Sequence, residues 1–314
     1  MAVLLDYQHV EVSFNGEPVV HDVSFQLHPG EILGLVGESG SGKSTLIKAA
    51  MGLLGSSGMV TRGDIWFEGK SLPDVPPKEL RRICGEKIGM IFQDCASLSP
   101  TRTIGEQIIE SMAAHRKVDV AEAKRAALEL FEKLHFQDGE RIWDSYPFEL
   151  SGGMTRRVLI STAVVEAPSL VIADEPTPGL DPRSLHHIMD HFREIADSGA
   201  GLLLITHDLE AALAIADRVA VFYAGETIEE APASDFAAEE TLRHPYTRAL
   251  WRAMPQHGFQ PIPGAQPYPG AARQGCPFLP RCPRQTAECG GAVAYRPVEG
   301  GFVRCLHPER GAGA

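Results

Sequence analysis

The chain has 314 residues, of which 44% are hydrophobic, enough to bury the core of one full-sized domain and a small appendage. A formal net charge of -12 argues against general nucleic-acid binding. No run of 18 apolar residues occurs, because Asp217 and Arg218 interrupt the longest candidate, and the first residues show no basic segment or cleavage site. We therefore expect a soluble cytosolic protein without an export signal.

Strands and helices alternate over about residues 1–255. Apolar, β-branched runs predict strands at residues 19–27, 31–37, 88–93, 170–174, 202–207 and 218–225. Because helices follow several of these runs, we expect right-handed crossovers and a mainly parallel sheet. Residues 102–166 are different, because they are helical or amphipathic and contain no predicted strand.

The stretch GESGSGKST, from Gly37 to Thr45, fits the phosphate-loop pattern at every fixed position and lies between a predicted strand and a predicted helix. Glycines let successive N–H groups turn toward phosphate oxygens, and the helix N-terminus adds partial positive charge. Lys43 is predicted to reach the β- and γ-phosphates, and the Ser44 hydroxyl to ligate Mg²⁺. The predicted ATP-binding residues of this loop are Gly37, Glu38, Ser39, Gly40, Ser41, Gly42, Lys43, Ser44 and Thr45.

A second string, LVIADEP, runs from Leu170 to Pro176 and places two carboxylates at the end of an apolar strand. Asp174 is predicted to hold Mg²⁺ through water, and Glu175 to polarise the water that attacks the γ-phosphate. An isolated acidic pair at a strand end is more often a helix cap or part of a solvated loop. The phosphate loop in the same chain favours the catalytic interpretation.

Upstream of that strand, ELSGGM resembles the signature of ATP-binding-cassette (ABC) ATPases, and further family motifs appear in the expected order over about residues 4–255. Phe14 resembles the aromatic residue that stacks on adenine, although an aromatic in an alternating strand is also commonly a core residue. Gln93 resembles the Q-loop glutamine, which implies roles in catalysis and, with Ser44 and Asp174, in Mg²⁺ binding. Leu180 and Asp181 resemble the D-loop, and His207 the switch histidine; taken alone, His207 is an ordinary strand-end residue.

The resemblance implies a phosphate-loop α/β fold of the ABC ATPase type, with a mainly parallel core sheet, an antiparallel β subdomain and a helical subdomain at about residues 95–166. In the family, Ser151, Gly152 and Gly153 open a helix that faces ATP held by another subunit. The chain would therefore supply half of an ATPase dimer. Only some 57 residues separate Gln93 from Ser151, too few for the long coiled-coil arm of chromosome-maintenance relatives.

Residues 256–314 hold nine of the 23 prolines and four of the six cysteines, which predicts a small irregular C-terminal domain with little core of its own. In a reducing cytosol disulfides are disfavoured, and the spacings do not match the usual zinc pairs. An iron–sulfur cluster tolerates such spacing, with zinc or free thiols as the alternatives. The candidate ligands are Cys276, Cys282, Cys289 and Cys305. His307 is interpreted as a bystander, and Cys84 and Cys95 as ordinary thiols.

The string GCPFLPRCP, preceded by PIPGAQP, resembles the C-terminal region of ATPase subunits from peptide and nickel importers, which implies a 4Fe-4S cluster. The implied function is ATP hydrolysis that drives uptake of dipeptides, oligopeptides, nickel or a metal chelate. The implied partners are a second ABC ATPase subunit, expected to be a paralogue, two membrane-spanning permease subunits and an extracytoplasmic binding protein. This arrangement places the chain peripherally on the cytoplasmic side of the inner membrane.

Another function class stays open: a soluble ABC ATPase that serves an enzyme complex, such as one for phosphonate C–P bond cleavage. DNA maintenance is disfavoured by the acidity of the chain and by the missing coiled-coil arm.

Two departures from the family pattern leave the predicted phosphate ligands in place but affect which partner the chain is expected to bind. The segment Cys95-Ala96-Ser97 after FQD is short, and Arg156 stands before Arg157 where the family has glutamine.

Overall fold

The computed structural model describes residues 2–92, 97–114, 116–178, 180–268 and 274–309. Its strands are β1 (Leu5–Phe14), β2 (Glu17–Leu27), β3 (Ile32–Val36), β4 (Gly58–Phe67), β5 (Lys70–Ser71), β6 (Ile88–Ile91), β7 (Leu170–Asp174), β8 (Gly201–Thr206), β9 (Arg218–Tyr223), β10 (Glu226–Pro232), β11 (Arg296–Val298) and β12 (Gly301–Val303). Its α-helices are α1 (Lys43–Ala50), α2 (Pro77–Glu86), α3 (Ile104–Ala113), α4 (Val120–Lys133), α5 (Gly139–Asp144), α6 (Gly152–Val164), α7 (Pro182–Asp197), α8 (Leu209–Leu213) and α9 (Pro245–Arg252).

The main sheet has a parallel centre. In the described part of the chain its order is β11-β12-β10-β9-β3-β8-β7-β6, and β9, β3, β8, β7 and β6 pair in parallel. Every residue of β3, β7 and β8 is buried, as expected of parallel strands covered by helices on both faces. The carboxyl ends of these strands therefore meet at one edge, where the parallel register brings the residues that follow them together.

A second sheet is antiparallel, with the order β2-β1-β4-β5 among the described strands. Its inner face shares one hydrophobic cluster with α1 and the main sheet, including Tyr7, Phe25, Leu46 and Ile205. The Tyr7 hydroxyl also donates to the Leu46 carbonyl over 2.9 Å. This packing holds the helix that follows the phosphate loop.

Helices α3 to α6 surround their own apolar cluster, which contains Ile108, Phe131, Trp143 and Val158. Residues close in sequence fix where two of these helices begin. Thr103 and Glu106 form a capping box on α3, and Asp119 caps α4. Helices α3 to α6 lie within residues 104–164. No helix in the described ranges combines the length and apolar character needed to cross a bilayer.

The C-terminal region differs from the sequence-based expectation that burial would contribute little to it. Strand β12 pairs with β10, so β11 and β12 extend the main sheet. Phe278 and Val303 are fully buried, and Phe278 joins the main-sheet core cluster. The segment predicted to have little core of its own therefore gains its burial by packing on the larger body.

Candidate nucleotide-binding and hydrolysis site

The phosphate loop connects β3 to α1 at the carboxyl edge of the main sheet. A side chain at Gly37 is sterically excluded, since an ideal Cβ there would lie 2.0 Å from the Phe222 carbonyl oxygen. Gly42, which precedes α1, has a φ of 106°, a left-handed conformation that favours glycine. Backbone bonds anchor the loop to the neighbouring turn, where Gly225 N–H donates to Ser41 O over 2.7 Å. Ser39 and Gly40 are exposed at its outer side.

Lys43 is the first residue of α1 and is buried at 6% exposure. Its Nζ donates to the carbonyl oxygens of Gly37 (2.8 Å) and Glu38 (3.0 Å). Burial lowers the pKa of Lys43, while the carboxylates of Glu175, Asp174 and Glu38 act in the opposite direction. The loop thus surrounds a buried ammonium group whose partners are weak carbonyl acceptors, and phosphate oxygens are stronger acceptors for such a cation.

Ser44 and Asp174 adjoin each other across the site. Burial is the chief cause that raises the pKa of the Asp174 carboxyl, and the nearby Ser44 side chain acts in the opposite direction. One carboxyl oxygen, Asp174 Oδ1, is buried without a hydrogen-bond partner in the described part of the chain. An orphaned carboxylate oxygen beside a hydroxyl suits a hard cation, so these residues fit the predicted Mg²⁺ site. Thr45, one residue further along α1, is half-buried.

Glu175 and His207, both predicted as catalytic residues and each placed after a strand, come together in the structure. Both oxygens of Glu175 lie 2.9 Å from His207 Nδ1, and Glu175 Oε2 also accepts from the Thr206 hydroxyl at 3.4 Å. Glu175 is 7% exposed and has a φ of 47°, a strained value for a residue with a side chain. Its N–H donates to the Ile205 carbonyl over 2.8 Å, which stabilises this conformation.

The signature residues face outward. Ser151 caps α6, where its hydroxyl accepts from Met154 N–H over 3.3 Å, and Ser151 and Gly152 are exposed. Leu180 Cδ2 lies 3.8 Å from the position of a Cβ on Gly153, so the predicted D-loop adjoins the signature helix. Asp181 is exposed and accepts from the N–H and hydroxyl of Ser184, at 3.0 and 2.6 Å. The α6 N-terminus and the D-loop therefore present one accessible surface.

The structure assigns no role to two of the predicted site residues, Phe14 and Gln93. Phe14 ends β1 and is half-buried against the cluster that contains Met51 and Leu54, which is compatible with both a core role and adenine stacking. Gln93 and Cys95 lie outside the described residues. The neighbouring Phe92 is described, and its carbonyl accepts from Arg156 Nη1 over 2.9 Å. Arg156, one of the two departures from the family pattern, thus links the signature helix to the residue preceding Gln93.

The four C-terminal cysteines form no disulfide with one another and line a common cavity with His244 and His307. Burial raises the pKa of Cys276 to about 12, and Cys305 and Cys282 add to this effect, so that thiol stays protonated at neutral pH unless a cation binds. Four thiols are donors suited to an iron–sulfur cluster or zinc. Their present arrangement is not a ligand set, however, because no described group of three or more histidines, cysteines, aspartates or glutamates could hold a metal ion.

Sequence reasoning missed the residues that join the C-terminal region to the phosphate loop. Arg281 Nη1 donates to Glu38 Oε1 over 2.9 Å and to the Tyr223 hydroxyl over 3.0 Å. His244 and Tyr246, in the HPY string that opens α9, are buried, and the Tyr246 ring centroid lies 4.4 Å from that of Tyr223. The only available signals were the strings HPY and RCP, neither of which indicates a contact with residue 38.

Comparisons with known proteins give the family. Residues 20–178 match the family model described as "ABC transporter", and residues 228–289 match "Oligopeptide/dipeptide transporter, C-terminal region". The oligopeptide transport ATP-binding protein OppD of Salmonella typhimurium is 37% identical over 98% of this chain and 94% of its own length. OppD of Mycobacterium bovis is 39% identical over 92% of this chain, but the chain spans about half of that relative, 49%.

A solved ATP-binding cassette, described as a dimer in a post-hydrolysis state with bound ADP and Pi, superposes with a TM-score of 0.66. It is 27% identical, and the match covers 73% of this chain and 99% of that cassette. Together, the phosphate loop, the parallel sheet that carries it and the two family models show that the chain belongs to the ABC transporter family of ATP-binding proteins, and that it carries the C-terminal region of oligopeptide/dipeptide transporters.

Proposed function

We propose that the chain binds and hydrolyses ATP as a subunit of an importer for dipeptides or oligopeptides, with nickel or a metal chelate as the other cargo classes. The observation that carries this proposal is the Glu175–His207 pair beside a buried, carbonyl-bound Lys43. The names of the OppD relatives support the cargo class, because they describe oligopeptide transport.

Binding follows from the loop geometry. Lys43 Nζ exchanges the carbonyls of Gly37 and Glu38 for β- and γ-phosphate oxygens, while loop N–H groups and the α1 N-terminus receive the remaining charge. Ser44 and, through water, Asp174 would hold the accompanying Mg²⁺, which would neutralise phosphate charge. Phe14 is proposed to stack on adenine. The loop residues Ser39, Gly40 and Thr45 complete the contacts with the nucleotide.

Hydrolysis requires a water molecule aimed at the γ-phosphate. Glu175 accepts the hydrogen bond, and then the proton, of that water, while His207 holds the carboxylate in place through its contact with both oxygens. Thr206 adds a weaker contact on one oxygen. Gln93 is proposed to help place the water and the ion. Glu175 is therefore the general base, and His207 sets its orientation.

The signature is proposed to act on ATP held by another subunit. The exposed α6 N-terminus supplies N–H groups that would face a γ-phosphate across a dimer interface, with Asp181 beside it. A dimeric state of the similar solved cassette supports this arrangement. We therefore propose that two ATPase subunits, this chain and a paralogue, enclose each nucleotide between one phosphate loop and one signature.

The partners follow from the proposed cargo. Two permease subunits would dock on the helical subdomain, at about residues 95–166, and a binding protein on the other face of the membrane would deliver the cargo. This places the chain peripherally at the cytoplasmic face of the inner membrane. Residues 1–255 would form the nucleotide-binding domain and residues 256–314 the C-terminal domain. The match of residues 228–289 to the transporter C-terminal region supports the latter assignment.

A structural 4Fe-4S cluster is proposed for the C-terminal cavity. Cys276, Cys282, Cys289 and Cys305 would hold it, since all four line this cavity and thiolates are the usual ligands of such clusters. The cluster would supply a charge and a covalent link between distant parts of the tail. It lies outside the nucleotide motifs, so no step of hydrolysis passes through it.

Purification of the native complex through a tag on this chain tests the function. Recovery of two permeases and a second ABC ATPase, with cargo-stimulated ATP hydrolysis in proteoliposomes, is the expected result. Recovery of soluble lyase subunits instead of permeases would assign the chain to an enzyme complex. Recovery of no ATPase activity from a complete complex would overturn the hydrolytic role.

A further inference from the structure

Arg281 makes an extensive set of contacts between the C-terminal region and the phosphate loop. Nη1 donates to Glu38 Oε1 (2.9 Å) and to the Tyr223 hydroxyl (3.0 Å). Nε donates to Pro263 O over 2.8 Å, and Nη2 to Ile262 O over 3.3 Å. The side chain is only 6% exposed, so its position is set by its neighbours rather than by solvent. A long side chain with all three nitrogens bonded is rigid.

Glu38 is the residue through which this contact reaches the nucleotide site. Its carbonyl accepts from Lys43 Nζ, and its carboxylate lies close enough to Lys43 to affect the pKa of that amine. A carboxylate in a loop that receives a polyanion repels the ligand unless a cation neutralises it. Arg281 is that cation. It neutralises the carboxylate and holds it 2.9 Å from its own guanidinium.

The C-terminal fold determines where Arg281 lies. Tyr223, Tyr246 and Phe278 form an aromatic platform, with ring centroids 4.4 to 5.5 Å apart, and the Arg281 guanidinium lies 5.7 Å from the Tyr223 ring centroid. Phe278 is fully buried three residues before Arg281, and Cys282 follows directly. Anything that displaces the segment around Cys282 would therefore displace the partner of Glu38.

We infer that Arg281 is a positioning residue for the phosphate loop, and that the C-terminal region controls nucleotide affinity through the Arg281–Glu38 contact. This inference rests on the proposed binding of ATP. Because energetic coupling between two sites is reciprocal, bound ATP should in turn stabilise the segment around Arg281.

The test uses full-length protein and Mg²⁺-ATP titrations in a calorimeter. Arg281→Gln is expected to weaken ATP binding by about tenfold, since an unpaired carboxylate then remains beside the phosphates. Arg281→Lys, which keeps the charge, should recover part of the loss. Arg284→Gln is the matched control, because Arg284 lies in the same segment, pairs with Glu309 and is 44% exposed. Its affinity should stay within about twofold of the parent.

A double substitution separates positioning from general damage. In the Glu38→Gln, Arg281→Gln protein the repelling carboxylate is gone, so affinity should return toward the parent value. A double variant as weak as Arg281→Gln, or an equal loss in Arg284→Gln, would overturn the inference. A parent protein that binds no ATP would instead refute the proposed function.

Hydrogen exchange on the unmodified parent gives a second test that does not depend on any variant folding. Saturating ATP should slow exchange of the backbone amides of Phe278, Leu279, Arg281 and Cys282, through the reciprocal coupling. Unchanged exchange there, with protection of the phosphate loop in the same sample, would show that the two regions are not coupled.

Discussion

His207 Nδ1 lies 2.9 Å from both carboxylate oxygens of Glu175, although 32 positions separate the two residues. Glu175 follows β7 and His207 follows β8, which are neighbouring parallel strands with Asp174 opposite Ile205. The pairing register thus places the proposed base and the residue proposed to orient it at one edge of the sheet. Such a pair acts only on a nucleophile delivered to the same edge, which is where the phosphate loop lies.

Replacement of Glu175 by glutamine should leave ATP binding almost unchanged and lower turnover of the reconstituted complex by about 100-fold or more, because the amide keeps the shape and loses the base. Steady-state ATPase assays measure the effect. Glu210→Gln, at an exposed position of α8, is the control and should retain the parent rate. A Glu175→Gln protein that hydrolyses ATP at the parent rate would remove Glu175 as the general base.

Lys43→Ala should weaken ATP binding by about 10- to 100-fold, because a buried phosphate loses its charged hydrogen-bond donor. Equilibrium titration of the purified chain measures this. Lys48→Ala on the exposed face of the same helix removes an equal charge outside the loop. Equal affinities for these two variants would contradict the assigned contact.

Ser151→Arg should lower hydrolysis at the site formed on the partner's phosphate loop by at least about tenfold, because the side chain would occupy the space of the γ-phosphate. Nucleotide affinity of the isolated chain should stay nearly constant, since Ser151 is exposed and caps only its own helix. Ser198→Arg, at an exposed position after α7, controls for the added charge and bulk. Loss of affinity in the isolated Ser151→Arg chain would argue against the shared site.

Arg156→Gln restores the residue type that the family pattern has at this position. Arg156 is 5% exposed and donates to the Phe92 carbonyl over 2.9 Å, so its loss should lower the free energy of unfolding by about 1–3 kcal/mol. Urea denaturation followed by circular dichroism measures the change. Arg125→Gln on an exposed face of α4 should change stability far less. A stability equal to the parent would show that the contact with Phe92 contributes little.

Cys282→Ser tests the proposed metal centre. Anaerobically purified parent protein should absorb near roughly 400 nm and contain about four irons per chain, as expected of a thiolate-bound cluster. The variant should lose the colour, and the region after residue 256 should become protease-sensitive, because the metal links distant parts of the tail. Cys84→Ser, far along the chain and outside the cavity, should keep the iron. Stoichiometric zinc without iron, or no metal at all, would contradict the cluster.

Much of the fold could be predicted from local sequence. The predicted strand at residues 170–174 coincides with β7, and the predicted helix after the signature is α6, capped by Ser151. Such elements depend on hydrophobic period, turn residues and caps, all of which are contiguous in the chain. The short strands β11 and β12 were not predicted. Three-residue strands carry too little periodicity to be identified, and the pairing of β12 with β10 is non-local.

The sequence by itself determined the phosphate loop, since Gly37, Lys43 and Ser44 belong to one contiguous pattern that can be recognised without any distant residue. It also placed Glu175 and His207 at strand ends. Only the tertiary structure decided that these two meet, because their contact depends on the parallel register of β7 and β8. The tertiary structure alone brings Arg281 into contact with Glu38, which lies 243 positions earlier in the chain. Contacts between residues so far apart arise from packing of whole elements, and no local pattern encodes them.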